Sequence, residues 1–430
     1  MIGSDNQKKA SENVGKKRLP VFSLLLIACY LVVCVLFLVY GFGEGRVREE
    51  SPDLSLADET ATPPVETPDN NTVTVTDYPP NNITNPELPP EVQVKGVYVG
   101  AWFAVDKEVM DNFIDLCETT ELNALVLDVK EDHGYITMPT NNELFPVNSN
   151  IVIENMGELV EDLKSRGIYT IARVVCFKDP RWAARNPHLS LRDRDGNRWT
   201  DRGGTAWLNP YMKENWEYIA EVCLEAARLG FEEIQLDYVR FPADGRLGDI
   251  HLGAAGEEQT RAEVIAEFIT FIRNKMLEVG VRTSADVFGI IAISNNDAQI
   301  IGQDLDLLYP VLHSICPMIY PSHFANITQN GIGQIINGVL FETPDTEPYD
   351  VIYNTLQHFI RRLDPNNPNQ AIIRPYLQDF TASYLGEGNF IPNGAEEVRA
   401  QIDAVYAAGL EEWILWNHVS RYSEDTFRNP

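Results

Sequence analysis

The chain has 430 residues, 44% of them hydrophobic, so one large core is possible and a (β/α)8 barrel of about 250 residues with appendages would fit. Its formal net charge of −29 argues against nucleic-acid binding, which requires basic patches, and disfavours docking to anionic lipid. The six cysteines contain no CxxC pair, so we expect small buried side chains rather than a metal knuckle or redox motif, with one disulfide left open.

The N-terminal region predicts a membrane anchor. Residues 21–42 carry no charge and are long enough to cross a bilayer, whereas the core of a signal peptide usually has about 7–15 residues. Lysine and arginine precede them in residues 1–20, which the positive-inside rule assigns to the cytoplasm. We therefore expect a single-pass signal anchor in the cell membrane. Cleavage near Gly41 and Gly43, which would give a secreted protein, is the alternative.

The next segment, residues 43–92, is rich in proline, threonine and aspartate and poor in apolar side chains. Such a composition cannot bury enough surface to offset the entropy of ordering, so it predicts a disordered extracellular linker. Residues 93–430 are left as the globular domain.

Within that domain, short apolar runs alternate with amphipathic helical patterns. Eight runs predict strands: Gly96–Trp102, Ala124–Lys130, Tyr169–Phe177, Glu233–Phe241, Thr283–Gly289, Ser314–Pro321, Ile372–Phe380 and Glu412–Asn417. Glycine closes several helical stretches, at Gly167, Gly230, Gly280 and Gly409, as expected of helix C-caps. Strand–helix alternation predicts parallel pairing, and eight units indicate an α/β fold of the closed (β/α)8, or TIM-barrel, type.

Polar and aromatic residues stand at the ends of these runs, where the loops of a TIM barrel build the active site. The catalytic candidates are Asp237 and Asp286. The candidates for substrate binding are Asp128, Lys130, Arg173, Trp207, Tyr238, Arg240, Tyr320, His323, Gln378, Asp379, Trp416 and Asn417. Trp102 is a further aromatic residue of the same rim.

Two carboxylates across a site are what cleavage of a glycosidic bond requires, one as acid and the other as nucleophile or base. Neighbouring strands lie about 4.8 Å apart, so Asp237 and Asp286 could stand near the roughly 5–5.5 Å separation of retaining enzymes. Arg240 would keep Asp237 ionised, while Asp128 and Asp379 would position sugar hydroxyls or tune the pKa values of the pair. Aromatic side chains at the rim would stack on sugar rings, although many aromatic residues serve only packing.

Metal chemistry finds little support in the sequence. Within the long insert 179–210, Asp193 to Asn197 hints at a calcium loop but lacks the further ligands, so a tight turn is expected. The histidines lack the spacing of a helical metal pair. We expect no metal and no cofactor.

Several blocks, in order, match a known family. They include Thr120 to Lys130, Gly167 to Arg173, Ile234 to Pro242, Ser284 to Gly289, Pro317 to His323, Arg374 to Phe380 and Trp413 to Asn417. On these blocks the stretch from Val94 to Asn417 resembles the bacterial "putative glycosyl hydrolase" domain family, domain of unknown function 4015. The resemblance implies a TIM barrel distantly related to glycoside hydrolases, and by fold-level analogy a catalytic carboxylate at the end of strand four supports Asp237.

The sequence thus predicts a membrane-anchored extracellular glycoside hydrolase that cleaves cell-wall or surface polysaccharide by a two-carboxylate, retaining mechanism. One alternative is a non-catalytic barrel that binds glycan and scaffolds the cell surface. Another is a metal-dependent deacetylase or an esterase, although the chain has no GxSxG motif.

Overall fold

The computed structural model describes Leu88 and residues 90–367 and 369–428. The predicted cytoplasmic segment 1–20, the anchor 21–42 and most of the linker 43–92 lie outside the described residues. Within the described ranges, none of the helices combines the length and apolar composition that a bilayer span requires.

Eight parallel strands of the described chain close a barrel. They are β1 (Lys95–Val99), β2 (Ala124–Lys130), β3 (Tyr169–Val175), β4 (Glu233–Asp237), β5 (Arg282–Phe288), β6 (Ser314–Ile319), β7 (Tyr376–Gln378) and β8 (Trp413–Trp416). Each strand pairs with the next along the chain, and β8 pairs with β1. A short strand, Ile372–Ile373, precedes β7 and also pairs with β6. The predicted (β/α)8 barrel is therefore confirmed.

The helices lie between the strands. The longer ones in the described part are α1 (Lys107–Thr119), α2 (Met156–Ser165), α3 (Lys213–Arg228), α4 (Arg261–Glu278), α5 (Asn295–Ile301), α6 (Pro348–Arg361) and α7 (Ala395–Ala407). Shorter helices are Ala101–Ala104, Pro180–Arg185, Ala255–Glu258, Leu305–Leu308 and Ile327–Asn330, and a hairpin pairs Gln334–Ile336 with Val339–Phe341. The predicted C-cap glycines all have positive φ, between 74° and 99°. A side chain would be strained there.

Two apolar layers hold the barrel together. Every residue of β2 and β3 is buried, because one face lines the barrel interior and the other packs under helices. The interior layer contains Val126, Ile171 and Tyr376, while the outer layer joins strands such as β2 to α3 and α4.

A buried ion-pair network fills the interior at the end where the strands begin. Arg374 donates to Glu233 at 2.7 Å and to Glu412 at 2.6 Å, and all three residues are buried. Glu233 opens β4 whereas Asp237 closes it, so this network stands at the opposite end of the barrel from the candidate catalytic pair. Its charges are satisfied internally, as a structural network requires.

The long insert is ordered by its own turns. A short strand, Arg192–Asp193, pairs with Ile250–His251, and the Asp193 carboxylate accepts the amides of Asp195 (3.0 Å) and Asn197 (2.8 Å). The predicted tight turn is thus confirmed. In the described ranges, no cluster of three or more histidine, cysteine or acidic side chains has the arrangement of a metal site.

The cysteines of the described chain are free thiols. Cys176, Cys223 and Cys316 are buried, as expected of small core residues, and Cys117 is partly buried. Cys29 and Cys34 lie outside the described residues.

Candidate active site

The guanidinium of Arg173 is the centre of a carboxylate cluster at the barrel mouth. Arg173 extends from β3 and donates to Asp237 through Nε (2.9 Å) and Nη2 (2.5 Å). It also donates to Asp128 at 2.7 Å and to Asp132 at 2.8 Å. Burial alone would lower the pKa of Arg173, but the three carboxylates outweigh it and raise that pKa well above its ordinary value. One permanent cation therefore organises three acids.

Asp237 is fixed through both carboxylate oxygens. Arg173 binds Oδ2, while Oδ1 accepts the backbone amide of Tyr238 at 2.6 Å. Tyr238 has a φ of +47°, a left-handed conformation that is strained for a residue with a side chain. The strained turn that ends β4 thus supplies a hydrogen bond to the charged form of Asp237.

Asp286 stands beside Asp237 on the next strand. The register pairs Leu236 with Ala285, so the two aspartates follow at the same level of β4 and β5. Asp286 is only 2% exposed, and its Oδ1 has no hydrogen-bond partner among the described residues. Burial, and then the negative charge of Asp237, raise the pKa of Asp286 well above its usual 3.8. The pair therefore combines an ion-paired carboxylate with a neighbour that is disposed to hold a proton.

Arg240 does not form the ion pair with Asp237 that the sequence predicted. Its guanidinium lies over the rings of Trp207 (5.0 Å), Tyr238 (5.0 Å) and Phe288 (4.3 Å), and Nη1 donates to the carbonyl of Phe241. The ion pair with Asp237 is made by Arg173 instead. Arg240 thus braces the aromatic side of the Asp237 loop.

An aromatic wall lines the side of the mouth formed by β1, β6, β7 and β8. Trp416 stacks on Tyr98, with centroids 6.3 Å apart, and lies 5.8 Å from Tyr320 and 5.4 Å from Phe380. His323 joins this wall through Tyr320 at 5.2 Å. Tyr98 also lies 5.5 Å from the Arg173 guanidinium, so the wall borders the carboxylate cluster.

The polar residues at the ends of β7 and β8 differ in whether their side chains already have hydrogen-bond partners. Asp379 is 8% exposed, its Oδ2 has no hydrogen-bond partner in the described part of the chain, and burial raises its pKa to about 7. Gln378 instead donates to Asp345 (2.9 Å) and accepts the amide of Ser322 (3.1 Å). Asn417 donates to the backbone carbonyls of Asp379 and Arg421. Gln378 and Asn417 therefore hold loops together, while Asp379 retains an unused oxygen.

Lys130 lies apart from the cluster. Its ammonium is fully buried, pairs with Asp179 at 2.9 Å and donates to the carbonyl of Val175 at 2.6 Å. Asp179 also accepts the Tyr218 hydroxyl at 3.1 Å and caps the helix Pro180–Arg185. Lys130 thus joins the end of β2 to the start of the long insert.

The structure adds residues that lie outside the predicted binding set. Tyr98 donates its hydroxyl to Asp128 at 2.6 Å, and Asp132 is the third carboxylate on Arg173. Lys178 lies over the ring of Tyr238 at 4.5 Å. In the sequence, these residues are marked only by their positions near strand ends. An apolar run does not show which way its polar side chains point or which side chains on other strands they contact.

Comparison with known proteins shows the family to which the chain belongs. A family model described as "Putative glycosyl hydrolase domain" matches residues 96–422. The chain belongs to this family. The match extends from β1 through β8 and includes Asp237, Asp286 and Arg173. The family resemblance predicted from the sequence is thereby confirmed, and the assignment supports a glycosidase.

Two solved structures are similar to this chain. A hypothetical protein from Ruminiclostridium thermocellum ATCC 27405 is 33% identical over 44% of this chain and 97% of that chain, with a TM-score of 0.40. The PgaB (BpsB) glycoside hydrolase domain from Bordetella bronchiseptica is 13% identical over 76% of this chain and 94% of that chain, with a TM-score of 0.53. At that identity the second match shows a shared fold. A search of curated protein sequences found no similar protein.

Proposed function

We propose that this chain is a membrane-anchored extracellular glycoside hydrolase that cleaves cell-wall or surface polysaccharide by a retaining, two-carboxylate mechanism. The observation that carries the proposal is the pair at the ends of β4 and β5. Asp237 is ion-paired to Arg173, while burial and the charge of Asp237 raise the pKa of its neighbour Asp286. Two acids whose environments differ in this way suit the separate roles of nucleophile and proton donor.

In the first step Asp286 donates its proton to the glycosidic oxygen, and the bond between that oxygen and the anomeric carbon breaks. An oxygen of Asp237 attacks the anomeric carbon and forms a glycosyl ester. Arg173 and the amide of Tyr238 hold the Asp237 carboxylate in place. Asp286, now a carboxylate, then takes a proton from water, whose oxygen attacks the same carbon and releases Asp237.

The surrounding side chains would bind the sugar. Asp379 has an unused buried oxygen that suits a hydroxyl donor, and Asp128 is held between Tyr98 and Arg173. Tyr320, His323 and Trp416 present rings along one side of the mouth. Trp207, Tyr238 and Arg240 brace the other side. Rings of this kind stack on the apolar faces of sugars, which favours a carbohydrate substrate.

The extracellular location rests on the sequence. Residues 21–42 have the length of a bilayer span, and the basic residues before them favour a cytoplasmic N-terminus. Fractionation of expressing cells, followed by protease treatment of intact cells, tests this. We expect the chain in the membrane fraction and its barrel degraded from outside. Recovery from the medium would favour the secreted alternative.

Catalysis is tested with the full chain in mild detergent, as the native protein, Asp237→Asn and the surface control Asp111→Asn. Each is incubated with purified cell walls and a polysaccharide panel, and new reducing ends are counted. We expect release by the native and control proteins but not by Asp237→Asn. Equal release by all three would remove Asp237 from the mechanism. No release, with glycan binding retained, would favour the non-catalytic scaffold.

A further inference from the structure

Trp102 is a large aromatic side chain left in solvent at the barrel mouth. It lies in the short helix Ala101–Ala104, directly after β1, and therefore on the face where the strands end. Its side chain is 61% exposed, whereas Phe103 beside it packs against the core. A tryptophan exposed to this degree adds little to the buried core, and its indole face is open to a ligand at the barrel mouth.

The loop after β8 connects this tryptophan to the aromatic wall. The amide of Gly100 donates to the Ser420 hydroxyl at 3.0 Å, which fastens the start of the Trp102 helix to that loop. In the same loop, His418 is exposed and its ring lies 6.1 Å from that of Trp416. Val419 is 37% exposed. Trp102, His418 and Val419 are the exposed residues of this part of the mouth and form what we call the rim strip, and the half-buried Trp416 of the aromatic wall lies beside His418.

We infer that Trp102 is a stacking platform for sugar units of a glycan chain that extends beyond the bond being cut. The inference rests on the proposed function and adds to it a sugar-binding position at Trp102, distant from the bond being cut. A mono- or disaccharide held at Asp237 and Asp286 would not need to reach Trp102, because Trp102 follows β1 and the two acids stand on β4 and β5, across the barrel. A longer chain would cover the rim strip, and the indole face would pack against the apolar face of a pyranose.

The inference is tested by binding, in the full chain carrying Asp237→Asn so that hydrolysis does not interfere. Trp102→Ala, Trp102→Phe and Val279→Ala are added singly. Val279 is an exposed apolar residue, 46% exposed, at the end of α4 and hence at the opposite end of the barrel. Migration is measured in native gels that each contain soluble β-glucan, xylan, glycol chitin, galactomannan or solubilised cell-wall glycan.

We expect at least one polysaccharide to retard the Asp237→Asn protein. Trp102→Ala should raise the apparent Kd for that polymer roughly fivefold, whereas Trp102→Phe and Val279→Ala should change it little. Affinity for the matching disaccharide should be unaffected by Trp102→Ala. Equal retardation with and without Trp102, or no retardation in any gel, would overturn the inference.

Hydrolysis by the otherwise native chain separates this inference from the proposed function. If retardation depends on Trp102 but no reducing ends appear, sugar binding at Trp102 is supported and the proposed hydrolase activity is contradicted. If the native chain cleaves polymers and Trp102→Ala cleaves and binds them equally well, the hydrolase activity is supported and the role of Trp102 in sugar binding is overturned.

Discussion

Arg173 donates Nε and Nη2 to one and the same oxygen of Asp237, at 2.9 and 2.5 Å. Because its Nη1 reaches Asp128 at 2.7 Å, the guanidinium also sets the distance between two strand ends. Both ion pairs are buried, so neither is weakened by solvent as a surface pair would be. Arg173 is therefore the ion-pair partner of the proposed nucleophile, and it also links the ends of β2 and β4 at the barrel mouth.

Removing that cation should destabilise the fold. Arg173→Gln leaves buried carboxylates without their partner, which costs about 3–5 kcal/mol in the free energy of unfolding. Chemical denaturation measures it, with Arg166→Gln as the control because Arg166 makes only exposed pairs with Glu118 and Asp162. The same unfolding midpoint for Arg173→Gln and native protein would contradict the buried pairing.

Asp286→Asn should remove proton donation while leaving the nucleophile in place. Hydrolysis of natural glycans, whose leaving group needs a proton, should fall by about 10²–10⁴. Dinitrophenyl glycosides leave without protonation, so their cleavage should fall far less. Values of kcat/KM for both substrate types give the comparison, with Asp237→Asn expected to lose both. An equal loss on both substrates in Asp286→Asn would exclude Asp286 as the acid.

Asp379 should make stability depend on pH. Its pKa rises from 3.8 to about 7 on folding, so the folded state binds the proton more tightly than the unfolded state. Native stability from this group is greatest below pH 3.8 and falls as the pH rises toward about 7. Asp379→Asn should therefore gain stability over the native protein across that window, by up to about 4 kcal/mol.

The measurement is the unfolding free energy of both proteins between pH 4 and 8. Asp111→Asn, on the surface of α1, controls for the loss of one acidic group. If the difference in unfolding free energy between the native protein and Asp379→Asn stays constant from pH 4 to 8, Asp379 does not titrate in that range.

The buried pair between Lys130 and Asp179 should be structural. Lys130→Met leaves the Asp179 charge unpaired in the core, at a cost of about 3–5 kcal/mol. Lys107→Met is the matched control, because the Lys107–Asp111 pair is exposed and its loss should hardly change the unfolding midpoint. If both variants unfold alike, the buried pair contributes nothing to stability.

Gly134 should tolerate no side chain. Its φ is +79°, and an added Cβ would lie 2.9 Å from Cγ of Asp179. Gly196 has nearly the same φ, +78°, but open space around it. Gly134→Ala should therefore lower the thermal midpoint clearly more than Gly196→Ala, which carries backbone strain alone. Equal shifts would mean that the loop after β2 moves away from Asp179 without cost.

The order of elements follows from local patterns. Runs such as Ala124–Lys130 are apolar on both faces because both faces are covered, and the helical stretches have the period of an amphipathic helix. The glycines after α2, α3 and α4 mark helix ends because only glycine adopts their φ without strain. Strand–helix alternation in eight units then leaves a closed parallel barrel as the natural solution.

The partners within the site could not be predicted in this way. Arg173, Arg240 and Lys130 all stand near strand ends, and the sequence predicted that Arg240 keeps Asp237 ionised. The choice depends on which way each side chain faces and on the register between strands far apart in the chain. In the structure Arg240 packs on aromatic rings, Lys130 pairs with Asp179 and Arg173 binds Asp237.

The sequence by itself determined the order of strands and helices, the barrel and the family, because these follow from short-range periodicity and from contiguous blocks of residues. The strand ends were less well predicted, since the run Glu233–Phe241 leaves the sheet after Asp237 and Trp102 lies in a helix. The sequence also placed acids at the mouth and predicted Asp286 beside Asp237 on the next strand. Only the tertiary structure decided that Oδ1 of Asp286 lacks a hydrogen-bond partner in the described chain, and that Arg173 gathers three carboxylates. Charge interactions depend on distance and burial, and both are set by the closing of the barrel.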